Sequence, residues 1–302
     1  MRAGSRRDGR SGPFRRTGTA ALGAGMLAGL GVAITGSPTM AAAVPSGIAT
    51  ASPVTTWGGA PAMVPSTVRT PHFPGTSGVR PGGTSGQGTP QAVGWASANW
   101  SGYALTGHHI ASVGGQWNVP AIVPSQSPTY SATWVGIDGY DNGSLIQAGT
   151  EQDSANGSNH FTAWWTTAAQ NFTEQQIPLS VAVGDTMKVE IAEHGSAWEV
   201  DATDAGYWSY SVWITGFSTP GDSAEWIMEA PCVNGRTATL STYTPITFDD
   251  ATVDGGSPGL VSSEAGQLYQ GPNAVSTPSS PDGDGDGFTL AYGFLAPPAP
   301  VS

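Results

Sequence analysis

Three polar side chains sit where strand spacing gives them useful faces: Gln147 in one segment, and Glu225 and Glu229 further along the chain. A carboxylate can take a proton from water and later return it, and a carboxamide can donate an N–H to a developing oxyanion. Together these are the general-base and electrostatic parts of a hydrolysis by water. Each residue also has an ordinary reading. Gln147 could be a structural amide bonded to a neighbouring strand, and Glu229 an exposed carboxylate on an edge strand.

The elements that must carry them are strands. In Thr129–Glu151 two runs rich in β-branched and aromatic residues, Tyr130–Asp138 and Ser144–Glu151, flank the turn-forming Gly139-Tyr-Asp-Asn-Gly143. This predicts a hairpin. Alternation puts Trp134, Gly136 and Asp138 on one face and Thr133, Val135 and Ile137 on the other. On the return strand Leu145, Gln147, Gly149 and Glu151 share a face. A carboxamide beside a carboxylate is costly in dry core, so this face is read as the lining of a groove. In Gly221–Pro231 the same period sets Glu225, Ile227 and Glu229 against Trp226 and Met228. Residues i and i+4 on a strand lie ~13 Å apart, so Glu225 is no close partner of Glu229 and is expected to be a surface charge.

Trp-Val-Gly-Ile-Asp-Gly (134–139), Leu-Ile-Gln-Ala-Gly (145–149) and Ala-Glu-Trp-Ile-Met-Glu (224–229), with Asn-Trp-Ser-Gly-Tyr (99–103) and Asn-Val-Pro (118–120), occur in the order seen in the glutamic peptidases, or eqolisins. The chain resembles a secreted, bacterial-type member of that family over roughly residues 97–290. The resemblance implies that Glu229 is the general base and then the acid for the leaving amine. It implies that Gln147 holds the oxyanion, and that Trp100, Trp134 and Trp164 lie near the substrate cleft. Asp138 matches a supporting aspartate, although a turn residue before Gly139 explains it equally well. The resemblance further implies protein or peptide substrates, no metal or other cofactor, and acid activity that pepstatin does not stop. One departure stands out. Where the family continues after Ala-Trp with an aromatic, an acid and another aromatic, this chain has Trp165, Thr166 and Thr167, which bears on substrate preference.

Many short β-type runs between Gly, Pro, Asn and Asp follow Gly94, with no sustained helical stripe. They indicate an all-β domain, a sandwich or barrel. The resemblance selects an antiparallel two-sheet β-sandwich of the lectin and glucanase kind, over residues 94–302. Before it, residues 1–43 combine six arginines with an apolar Gly/Ala-rich run and Ala41-Ala-Ala43, the pattern of a cleaved signal peptide. Residues 44–93 are rich in Pro, Gly, Ser and Thr and read as a linker or propeptide. The chain is thus expected to be secreted, extracellular and monomeric, with no stable membrane association once the signal is removed.

Without residues 1–43 the chain keeps four Lys/Arg and 21 Asp/Glu, a formal charge of 4 − 21 = −17. This argues against nucleic acid or anionic membrane as partner. It also leaves few groups to become positive in acid, so acid unfolding by self-repulsion is weak. The base reading and this composition place the expected optimum at roughly pH 2–4. Cys232 is single, so no intrachain disulfide forms, and beside Pro231 it reads as a buried small residue.

Other patterns are weaker. Gly221-Asp-Ser-Ala224 is one residue short of a serine-protease motif and has no histidine-bearing partner. Asp282-Gly-Asp-Gly-Asp-Gly287 opens like a calcium loop but has Gly293 where the bidentate acid belongs, so it is read as a turn. The histidines lack metal-binding spacing. Two rival functions share the fold: a lectin-like module binding carbohydrate on tryptophans, and a glycosidase. Gln147 with Glu229 favours the peptidase over the first. The lack of a paired-acid strand motif counts against the second.

Overall fold

The computed structural model describes residues 50–51, 55–56 and 93–302. The expected signal peptide, 1–43, lies outside the described residues, as does most of the expected linker. The strands, in chain order, are β1 (Thr50–Ala51), β2 (Thr55–Thr56), β3 (Trp95–Ser97), β4 (Trp100–Thr106), β5 (Ser112–Asn118), β6 (Thr129–Ile137) and β7 (Ile146–Ala155). They continue with β8 (Ser158–Thr167), β9 (Gln175–Ile177), β10 (Thr186–His194), β11 (Ala197–Asp204), β12 (Trp208–Thr215) and β13 (Ser223–Glu229). Last come β14 (Cys232–Val233), β15 (Arg236–Thr237), β16 (Ile246–Val253), β17 (Ala265–Gln270), β18 (Asn273–Pro278) and β19 (Phe288–Tyr292). Helix among the described residues is limited to two 3₁₀ turns, Ala168–Gln170 and Ser262–Glu264. None is long and apolar enough to cross a membrane.

The all-β expectation is met, but the two-sheet sandwich is not what forms. Seventeen strands belong to one hydrogen-bonded sheet, and only β14 and β15 stand apart as a ribbon. A continuous ladder runs β12–β11–β10–β5–β16–β19–β18–β17–β4–β13–β6–β7–β8–β9, antiparallel at every step. β16 joins what would otherwise be two layers. Its first residues, Ile246–Phe248, pair with β19, and Phe248–Val253 pair with β5. Within the β5 pairing the register shifts between Asp249 and Thr252, and Asp250 takes a left-handed φ of 49°. A bulge of this kind bends and twists a strand, so the sheet turns its corner without breaking the ladder. It then curls over itself into a nearly closed, barrel-like form. Trp226 Nε1 on β13 donates to Gly114 O on β5 at 2.8 Å, and Trp117 Nε1 on β5 donates to Thr150 Oγ1 on β7 at 3.2 Å.

The concave side holds the main core, including Trp117, Trp198, Trp208, Trp226, Phe248 and Phe288. β10–β12 alternate buried with more exposed residues, as strands with one face in water should. β6, β7 and β13 differ: nearly every residue is buried, so both of their faces are covered. β1 and β2 pair with β12, the strand at one end of the ladder.

Several carboxyls bind protons more tightly in the fold than in free chain. Burial, and then Asp185, push Asp204 up to about 7; burial likewise raises Asp201, Glu264 and Asp286. Groups raised in this way contribute stability that is full below about pH 4 and is lost as pH climbs through the folded values. The melting temperature should therefore fall between about pH 4 and pH 8. A thermal scan across that range checks this, and a flat or rising profile would contradict it.

Candidate active site

The face of β6, β7 and β13 turned away from the main core carries the residues singled out in the sequence. β13 lies centrally, between β4 and β6, which corrects the edge-strand reading of Glu229. Three rows cross the strands. One runs Thr166, Gln147, Gly136, Glu225, Ala104; the next runs Trp164, Gly149, Trp134, Ile227, Gly102; the third runs Thr162, Glu151, Ala132, Glu229, Trp100. The hairpin and its two faces are those expected from the alternation. Gln147 and Glu229 thus share one face, two strands and two rows apart. Ser131 and Thr133, on the opposite face, bond to Gln152 in the core.

The tryptophans form the walls. Trp100, Trp134 and Trp164 build a second apolar cluster with Ala132 and Ile227, separate from the main core. Trp100 and Trp134 meet edge to face with ring centroids 4.8 Å apart. Trp134 Nε1 donates to Glu229 Oε2 at 2.9 Å, which fixes the carboxylate's orientation. Glycines make the room. A Cβ at Gly149 would stand 2.1 Å from Thr133 O, and one at Gly136 would stand 2.8 Å from Gln147 Cγ. Gln147 therefore lies across Gly136, toward β13.

Gln147 is fully buried, and neither its Oε1 nor its Nε2 has a hydrogen-bond partner among the described residues. Leaving such groups unsatisfied costs about 1–3 kcal/mol, and a structural amide does not bear that cost. Thr166, opposite it, donates to Thr173 O at 3.0 Å and so is turned to its own loop.

Asp138 is buried with φ at 66°, a conformation that Asp tolerates better than most residues. Its Oδ1 accepts from Asp222 N at 2.7 Å and Asn142 Nδ2 at 2.8 Å, and its Oδ2 from Gly221 N at 2.8 Å and from Thr219 Oγ1. The turn reading of Asp138 is the one these contacts bear out. Asp138 is a turn residue whose carboxylate clasps the hairpin turn to the loop that enters β13.

Glu225 corrects the sequence reading. It is fully buried rather than a surface charge, because β13 is covered on both faces. Burial first, then the nearby Asp138 and Asp141, raises its carboxyl well above the usual range.

The family comparison decides what kind of site this is: the Peptidase A4 family matches residues 98–288, most of the chain. The chain belongs to the Peptidase A4 family. Peptide-bond hydrolysis of the glutamic type is its reaction class, and peptides are its substrates. Among solved structures the chain is similar to scytalido-glutamic peptidase with a transition state analog inhibitor, at 18% identity and TM-score 0.56, over 65% of this chain and 98% of that one. It is also similar to SCP-B, a member of the eqolisin family in complex with the tripeptide Ala-Ile-His, at 20% identity and TM-score 0.53 over the same shares. At these identities the likeness is one of fold. No curated protein sequence matches the chain.

In this A4 peptidase the remaining motifs are accounted for locally. Ser223 of the serine-protease-like stretch is buried on β13. Asp282 Oδ1 accepts from the backbone N–H groups of Gly285, Asp286 and Gly287, making the turn expected ahead of β19. The carboxylates of Asp249, Asp282 and Asp286 gather within 4.8 Å of one another, a grouping missed because Asp249 comes from distant β16. Cys232 is half-buried and forms no disulfide, so it is less enclosed than its sequence context implied.

Proposed function

We propose that Gln147 and Glu229 are the catalytic dyad of a secreted, acid-acting, monomeric endopeptidase made as a precursor. The observation that carries this reading is the buried, unpartnered carboxamide of Gln147 on the same tryptophan-walled face as Glu229. In the reaction Glu229 takes a proton from water, whose oxygen attacks the scissile carbonyl carbon. Gln147 Nε2 donates to the oxyanion that forms. Glu229 then passes its proton to the amide nitrogen, the C–N bond breaks, and an acid and an amine leave. Trp134 holds Glu229 Oε2 throughout. The tripeptide bound by SCP-B suits a peptide as the substrate of this site.

The low count of basic groups and the protonated state that burial favours for Glu225 support an acid-acting reading. Purified protein incubated with a denatured substrate should cleave it at about pH 3 and not at about pH 8, unaffected by pepstatin. Cleavage confined to neutral pH, or stopped by pepstatin, would refute the reading.

A further inference from the structure

The dyad leaves buried acids unused on the site face, Glu151 in the row of Glu229 and Glu225 in the row of Gln147. Glu225 is fully buried on the site face, and neither carboxyl oxygen has a hydrogen-bond partner among the described residues. The register sets it in the same row as Gln147, with only Gly136 between them. Two strand spacings separate their Cα positions, about 10 Å, and Gly136 itself brings no side chain; the edge of the Trp134 ring borders the gap, its Cζ3 3.0 Å from where a Cβ on Gly136 would stand. Gln147 already leans over that glycine. Its other neighbour in the row, Thr166, spends its hydroxyl on Thr173 O. Two unsatisfied groups of complementary chemistry thus face one gap.

We propose that the Glu225 carboxyl is a positioning group for Gln147: its O–H donates to Gln147 Oε1, directly or across one water, and turns Nε2 toward the oxyanion. This rests on the Gln147–Glu229 reading of the site. The surroundings keep the proton in place. Burial is the main cause, and Asp138 and Asp141 add negative charge nearby. Tyr140 is also close, its hydroxyl raised in part by Glu225. Ser223, two residues earlier on the same face, favours the charged form more than either Asp138 or Asp141 opposes it, but makes no regular hydrogen bond to Glu225, and burial outweighs it. Ala104 on β4 and Gly136 on β6 bring no charge, and Glu229 lies two rows away. An ionised Glu225 could only accept. It would draw Gln147 Nε2 to itself and take the donor away from the oxyanion. Activity should then be lost on the alkaline side as Glu225 ionises.

Two variants test this, Glu225→Gln and Glu225→Leu, with kcat and KM read across pH and folding followed by melting. Glu225→Gln keeps a donor that cannot ionise, so it should retain kcat in acid and carry the alkaline limb to higher pH. Glu225→Leu should lose up to about 10²-fold in kcat, the scale of a misplaced catalytic group, with KM little changed. A parent-like alkaline limb in Glu225→Gln, or parent-like kcat in folded Glu225→Leu, would overturn the proposal. Should Glu225→Leu not fold, infrared spectroscopy decides: near pH 7 the carboxylic acid C=O band of the parent should exceed that of Glu225→Gln by the signal of one group, Asp204 contributing to both. A band of equal intensity in the two proteins counts against the proposal. Loss of activity in Glu229→Gln is a separate readout, so failure of the dyad and failure of the positioning role are distinguishable.

Discussion

Glu229→Gln is expected to lower kcat for peptide cleavage by roughly 10²–10⁴-fold, the range for a positioned general base, while leaving the protein folded. The substitution keeps shape and volume. The variant's amide oxygen can still accept the hydrogen bond from Trp134 Nε1 that now ends on Oε2. What it cannot do is take a proton from water. Because Glu229 is central in the sheet and buried, melting must be measured beside turnover. A folded variant with near-parent turnover would mean that another group is the base.

Gln147→Met should cost about 10²–10³-fold in kcat, as removal of one oxyanion donor does. Its effect on stability should be smaller than that of an ordinary buried-amide deletion. Methionine nearly matches glutamine in size, and no residue among those described bonds the Gln147 amide at rest. Relief of the buried amide offsets loss of the hydrogen bond proposed from Glu225, so stability should stay within about 1 kcal/mol of the parent. A structural amide would instead give a destabilised protein with normal turnover. Urea unfolding and a cleavage assay on one preparation separate the two cases.

The sequence carried the site further than the architecture. Period-two alternation was enough to place Gln147 with Glu151 and Glu225 with Glu229, because a strand's faces depend only on its own spacing. The hairpin was legible for the same reason, with turn residues flanked by β-branched runs. Burial was not. Glu225 read as a surface charge because a carboxylate gives no sign that both faces of its strand are covered. β17 and β18 carry little strand signal, since Ala265–Gln270 and Asn273–Pro278 are mostly small and polar residues and owe their strand form to their neighbours. The run of β16 is broken by Asp249 and Asp250. Those acids sit at the bulge that joins the two layers into one sheet, so the break in the pattern also hides the sheet's continuity.

The central claim is that Gln147 and Glu229 act as one unit on a single transition state. The most direct measurement is a set of four turnover rates on one peptide in acid: parent, Gln147→Met, Glu229→Gln and the double variant, each shown to be folded. Groups acting as a unit are strongly non-additive, so the double variant should be little slower than Glu229→Gln alone. Either folded single variant turning over at the parent rate, or losses that simply multiply in the double variant, would contradict the account.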